Sequence, residues 1–167
     1  MKLRLFKSVS VLGLAFSLAA CSTVSLDDSA SGAGGAGSAG GASGSGVMDP
    51  FNPNSVLARD RSVYFQFDSY AVEEQYRPLV ETHARYLAAN PQQKIMIEGN
   101  TDARGGAEYN LALGHRRAQA VGNMMTLIGA RETQIETISF GKEKPKALGD
   151  TEADYAENRR ADIVYLR

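Results

Sequence analysis

The sequence predicts an α/β sandwich: a mixed sheet of about four strands packed against two main helices plus a short one. Three observations carry that prediction. Apolar residues alternate with period two in four short stretches, and stretches with helical spacing lie between them. All of these fall within residues 56–167, about the size of one domain. The first 55 residues show neither period, and Ser29 to Gly46 are exclusively Gly, Ala and Ser.

Val63, Phe65 and Phe67 alternate with Tyr64, Gln66 and Asp68, which predicts a first strand ending at Asp68. A helix follows over residues 73–89, with Leu79, Val80, His83, Ala84 and Leu87 on one stripe. Pro78 inside it predicts a broken first turn or a proper start near Arg77, and Asn90-Pro91 stops it. Ile95 and Ile97 flank Met96 in a second strand over residues 94–98. A long helix runs from about Glu108 to Ile128, with Ala118, Val121, Met125 and Ile128 as its core stripe and Gly129 as its C-cap. Ile135 to Phe140 form a third strand, Glu152 to Asn158 the short helix, and Ala161 to Leu166 the last strand.

Residues 1–20 read as a targeting segment. Lys2, Arg4 and Lys7 precede an apolar stretch from Val9 to Leu18 that is too short for a stable bilayer span. It closes on Leu18-Ala19-Ala20-Cys21, which resembles the lipobox of bacterial lipoproteins. That resemblance implies an acylated Cys21 held in the lipid bilayer, with Ser22 at the following position favouring the outer membrane. The rival is an ordinary secretory signal abutting a cysteine. Cys21 is the one cysteine of the chain, so no internal disulfide competes for it. Residues 21–55 then form a tether, because Gly, Ala and Ser have nothing to bury that would offset the entropy of ordering. Loss of Lys2, Arg4 and Lys7 leaves 15 basic against 19 acidic residues, about −4. Such a chain lacks the basic stripe that nucleic acid needs, so nucleic acid is not expected among its partners.

The chemistry concentrates in Glu98-Gly99-Asn100-Thr101-Asp102-Ala103-Arg104-Gly105-Gly106, with Asn110, Leu113 and Arg117 beyond. The last three fall at i, i+3 and i+7 and share a helix face that starts one turn from the Asp102 loop. Asp102 can accept from an ammonium and Arg117 can fork onto a carboxylate, so together they suit a zwitterion. Spacing alone fits equally well a second arrangement, in which Asp102 and Arg117 pair with each other and pin the loop. Gly99, Gly105 and Gly106 allow close backbone approach to a ligand or positive φ. Asp68, at the end of its strand, lines the same cleft.

This segment resembles the signature of the OmpA-like peptidoglycan-associated domain. The blocks Val63–Asp68, Glu108-Tyr109-Asn110, Leu113–Ala118, Gly141–Pro145 and Asn158–Ala161 extend the resemblance from Ser62 to Arg167. It implies an OmpA-like fold and a ligand site for peptidoglycan, whose stem peptide offers the ammonium–carboxylate end of diaminopimelate. Carried onto this chain, the site comprises Asp68, Asn100, Thr101, Asp102, Arg104, Asn110, Leu113, Arg117 and Arg159. Leu113 covers the ligand methylenes, while Asn100, Thr101 and Asn110 shape the loop or bond the peptide. Arg104 touches the wall polymer, and Arg159 either projects into the cleft or bridges to Asp102, Asp68 or Glu98. Asn100, Ala103 and Gly106-Ala107 depart from the usual His, Glu and Thr-Pro of the lipid-anchored members.

The resemblance to those lipid-anchored members implies the Tol system, with TolB and other Tol proteins as partners, and a role in envelope integrity and division. The alternative is a lipoprotein of a secretion or motor apparatus. No cofactor or metal is expected, since His83 and His115 lie far apart and no ligand-spaced cluster appears. An enzyme is not expected either. A wall hydrolase using Asp68 and Asp102 as an acid–base pair is the rival from that class.

Overall fold

The computed structural model describes residues 48–167; the targeting segment 1–20, Cys21 and the tether up to residue 47 lie outside the described residues. Residues of the tether's end pack on the body. Met48 lies against the core and the Phe51 ring meets Tyr165 edge-on at 6.4 Å. Ser55 then caps a short helix, α1 (Val56–Arg59), by accepting from the Ala58 N–H at 3.1 Å, and Leu57 is buried. Four residues are too few to show a period, so α1 was not legible in the sequence.

The elements that follow are β1 (Ser62–Tyr64), a 3-10 turn over Glu74–Tyr76, α2 (Arg77–Ala89), β2 (Ile95–Asn100) and α3 (Ala107–Ile128). A second 3-10 turn (Glu132–Gln134), β3 (Ile135–Gly141), α4 (Glu152–Asn158) and β4 (Arg160–Tyr165) complete the chain. The strand order is β1-β4-β2-β3, with β2 and β3 parallel and the other pairs antiparallel, so the sheet is mixed. Four strands, two main helices and a short one are the predicted sandwich. Val63, Ile95, Ile97, Ala161 and Ile163 line one face of the sheet, against Val80, Ala84 and Leu87 of α2 and Ala118, Val121 and Met125 of α3.

The helix ends follow their sequence signals. The regular part of α2 begins at Arg77 with Pro78 in its first turn, where the missing N–H costs nothing. Gly129 caps α3 at φ 127°, its N–H donating to the Met125 and Thr126 carbonyls. Leu79 and Ile128 sit at the margins of their stripes and are only half-buried.

The first strand departs from expectation. Regular pairing stops at Tyr64, and Phe65 keeps one backbone bond, from its N–H to the Arg159 carbonyl at 2.9 Å. Beyond it arginine side chains replace the ladder: Arg159 Nε donates to the Phe65 carbonyl at 3.0 Å and Arg117 Nη2 to that of Gln66 at 3.2 Å. The alternation therefore breaks. Phe67, expected in the core, is 61% exposed, and Asp68 lies past the strand in the left-handed region at φ 55°.

One contact sets how closely α3 lies on the sheet. A Cβ at Gly99 would fall 1.8 Å from the Gly114 carbonyl oxygen, and one at Gly114 would fall 2.3 Å from Ser139 Oγ. Backbone meets backbone there, at the end of β2 that leads into the signature loop. Gly99 thus serves helix packing rather than approach to a ligand. Gly99→Ala is expected to cost about 3 kcal/mol or more, because the clash is with backbone that cannot swing aside; urea denaturation reads this directly.

His83 is buried between two partners: Nε2 donates to the Asp60 carbonyl at 2.7 Å, and Nδ1 accepts from the Tyr165 hydroxyl at 2.8 Å. Burial, with a smaller contribution from Arg61, lowers its pKa against the opposing pull of the Asp60 carbonyl and carboxylate. The folded state therefore binds this proton less well than the unfolded chain. The stability His83 lends is complete above its ordinary value of 6.5 and falls as pH drops through and below it. The slope from this one group is at most about 1.4 kcal/mol per pH unit. His83→Gln is expected to lower the urea midpoint at pH 7.5 while flattening the profile between pH 6.5 and 5.

Candidate functional site

Three segments converge at one end of the sheet: the loop after β1, the loop after β2, and the first turns of α3. They enclose a cleft of about 210 Å³ lined by Phe67, Asp68, Thr101, Asp102, Arg104, Gly105, Tyr109, Asn110, Leu113 and Arg117. Seven of the nine residues carried over from the family are among them. Asn100 and Arg159 are not, and both sit behind the wall.

Asp102 is the anionic centre and is only 5% exposed. Its Oδ1 accepts from the Arg104 N–H at 3.1 Å, closing a tight turn of the Gly-rich loop. Its Oδ2 meets Arg104 Nη2 at 2.6 Å and Arg159 Nη1 at 3.5 Å. Burial pushes the Asp102 carboxyl up, but the Arg104 hydrogen bonds and charge, with Arg159 adding, outweigh it and hold the group below the usual carboxylate range. Thr101 is anchored through its N–H to the Gly141 carbonyl at 2.8 Å. Gly105 uses its freedom at φ 85°, whereas Gly106 has ordinary φ and open space around it, so the conformational role expected of Gly106 is not needed.

On α3, Asn110 Nδ2 donates to the Arg104 carbonyl at 2.7 Å and so shapes the loop. Leu113 supplies an apolar wall. Tyr109 donates its hydroxyl to Asp68 Oδ1, tying the first turn of α3 to the loop after β1. Arg117 has no exposed surface at all, and its guanidinium clasps three backbone carbonyls. Nε reaches Ser69 at 2.8 Å, Nη1 reaches Asn100 at 2.9 Å and Nη2 reaches Gln66 at 3.2 Å. Burial lowers its pKa to about 10, with the Asp102 charge opposing, so it stays cationic at neutral pH.

The structure does not pair Asp102 with Arg117. Asp102 goes to Arg104 and Arg159, and Arg117 to carbonyls, which removes the arrangement in which the two pin the loop together. Asn100 is wholly buried, its Nδ2 bonded to the Glu98 carbonyl at 3.1 Å. Arg159 bridges to Asp102, one of the two arrangements open to it, and also to Glu152 at 2.8 Å. Sequence reasoning missed Phe67 and Tyr109 in the wall. Tyr109 was legible in principle, since it precedes Leu113 and Arg117 by four and eight residues on one helix face.

The chain matches the OmpA family over residues 64–159. It belongs to that family. The peptidoglycan-associated lipoprotein of Pasteurella multocida is 41% identical over 162 residues, covering 97% of this chain and 99% of that one. The crystal structure of the peptidoglycan-associated lipoprotein from Burkholderia pseudomallei is 58% identical, with a TM-score of 0.68 over 71% of this chain and all of that one. Within the OmpA family the chain therefore sits among the peptidoglycan-associated lipoproteins, which are structural and not enzymatic. The C-terminal domain of Helicobacter pylori MotB, at 21% identity, shares the OmpA-like fold with a TM-score of 0.59 over 64% of this chain and 84% of that one.

Arg117→Ala would take a donor from three carbonyls, that of Asn100 buried and those of Ser69 and Gln66 part-buried. It is expected to cost at least about 3 kcal/mol, given roughly 1–3 for each orphaned group. Thermal unfolding followed by circular dichroism measures this, and Arg117→Lys should recover only part of the loss because an ammonium cannot span the three acceptors.

Proposed function

We propose that this OmpA-family chain is an outer-membrane lipoprotein that holds peptidoglycan non-covalently through the cleft, by the ammonium–carboxylate end of diaminopimelate in the stem peptide. The observation that carries the reading is the cleft's charge arrangement: one nearly buried carboxylate kept ionised, cations around it, and Leu113 as apolar wall between them. Asp102 receives the ammonium. The ligand carboxylate lies toward Arg117, whose buried guanidinium, already serving three carbonyls, supplies positive charge from within the wall rather than the exposed fork expected from the sequence. Asp68, Thr101, Arg104 and Asn110 complete the wall, with Asn100 and Arg159 supporting it from behind.

The lipobox-like stretch ending at Cys21 supports anchoring, since several acyl chains on one residue suffice for stable membrane attachment. A tether from residue 21 to about residue 47, shorter than the 21–55 expected from the sequence, would then span roughly 25–30 Å at rest, and residues 48–167 would form the wall-binding domain, since Met48, Phe51 and Ser55 pack on it. The protein would face the periplasm as part of the Tol–Pal system, tying outer membrane to wall and serving constriction at division. TolB is the exchange partner this implies, competing with the wall if both use the cleft. A hydrolytic role fits poorly, because a general acid needs a raised pKa and Asp102 is held low.

Co-sedimentation of the full chain with diaminopimelate-type sacculi tests the reading. Asp102→Asn, nearly isosteric, is expected to retain the fold by circular dichroism and to lose at least about tenfold in affinity, the worth of a charge-assisted contact. Undiminished binding by the folded variant would return Asp102 to a purely structural role.

A further inference from the structure

The carboxylate assigned to the ligand's ammonium already holds a cation. Arg104 Nη2 sits 2.6 Å from Asp102 Oδ2, closer than Arg159 at 3.5 Å. The two arginines differ in how firmly they are kept. The Arg159 side chain is 7% exposed and is tied to the Phe65 carbonyl, whereas that of Arg104 is 36% exposed and extends from a loop. Arg104 lies over two rings, its Cζ 4.3 Å from the centroid of Phe67 and 4.3 Å from that of Tyr155. Its Nη1 meets Glu152 at 3.3 Å, while its Nε–H is buried with no partner among the described residues. Asp102, by contrast, is fixed by its tight turn. One cation on this carboxylate is therefore fixed within the fold, and the other is held from the more exposed side by side-chain contacts.

We propose that Arg104 is a built-in stand-in for the ligand's ammonium, and that binding is an exchange in which the ammonium takes Asp102 while the released guanidinium takes a ligand carboxylate. The proposal rests on the reading of the cleft given above and adds what the site selects. A simple amine that displaces Arg104 trades one charge-assisted bond for another and leaves the guanidinium with only the exposed Glu152 as its ionic partner. A ligand bearing both charges re-pairs what it displaces. Discrimination for zwitterions then comes from a side chain that opposes every other cation. Glu152 and Tyr155 of α4 act as positioning residues for Arg104, holding it over Asp102 in the free protein.

The test uses the full-length chain, calorimetric or NMR titration, and two probes. These are diaminopimelate and 1,5-diaminopentane, which is the same molecule without its two carboxyl groups. The wild-type protein is expected to prefer diaminopimelate by at least about tenfold, and the Arg104 Nε–H resonance should shift as it binds. Arg104→Ala should lose most of that preference chiefly by binding diaminopentane more tightly, and Arg104→Lys should recover part of it. A thermal melt certifies each variant's fold. An unchanged preference in folded Arg104→Ala, or no preference in the wild-type protein, overturns the exchange while leaving wall binding through Asp102 intact. Full affinity for both probes in Asp102→Asn would instead remove the underlying reading, and the exchange with it.

Discussion

A single buried guanidinium organises this domain. Arg117 reaches from the middle of α3 to carbonyls of the loop after β1 and of the last residue of β2, so one side chain fixes the relative positions of three segments. A charge without exposed surface survives only if its hydrogen bonds are met and an opposite charge lies near. Here the carbonyls meet three donors and Asp102 supplies the field. The glycine contact between β2 and α3 makes the reach possible, because a side chain at either position would push the helix outward and carry Arg117 away from its acceptors.

The electrostatics of the cleft follow from that arrangement. Arg117 and Arg159 are both buried and both bonded to carbonyls of the segment after Tyr64, which has left the sheet. They substitute for a missing strand partner and at the same time place positive charge behind the wall. Asp102 is held ionised chiefly by Arg104, with Arg159, which also ties down the Phe65 carbonyl, adding to it. Fold and site are thus built from the same side chains, and separating their contributions by mutation requires near-isosteric changes rather than truncations.

Much of this was legible in the sequence. The helical stripes of α2 and α3, the Pro78 start and the Gly129 stop are local signals, and they land where the spacing put them. The signature loop and its helix face are contiguous in the chain, which is why Asp102, Asn110 and Leu113 could be brought together on paper. What failed needed long-range knowledge. Phe67 completes a perfect alternation, yet two arginines from distant elements end the strand before it. Asn100 looks like a loop ligand, but the register shift after Gly99 leaves it inside β2 facing Glu98 and Asp162. Tyr155 and Glu152 are some fifty residues from Arg104 and carry no motif.

The place where the chain enters the body sets its response to force. Phe51 contacts Tyr165, which pairs with Ile95, while the cleft lies at the opposite end, beside Gly99 and Ala161. A pull between the cleft and Met48 is directed along the strands rather than across them. The ladders joining β1, β4 and β2 are then loaded in shear, every bond sharing the tension, instead of peeling open one at a time. The small four-stranded sheet thus meets such a pull with several ladder bonds at once.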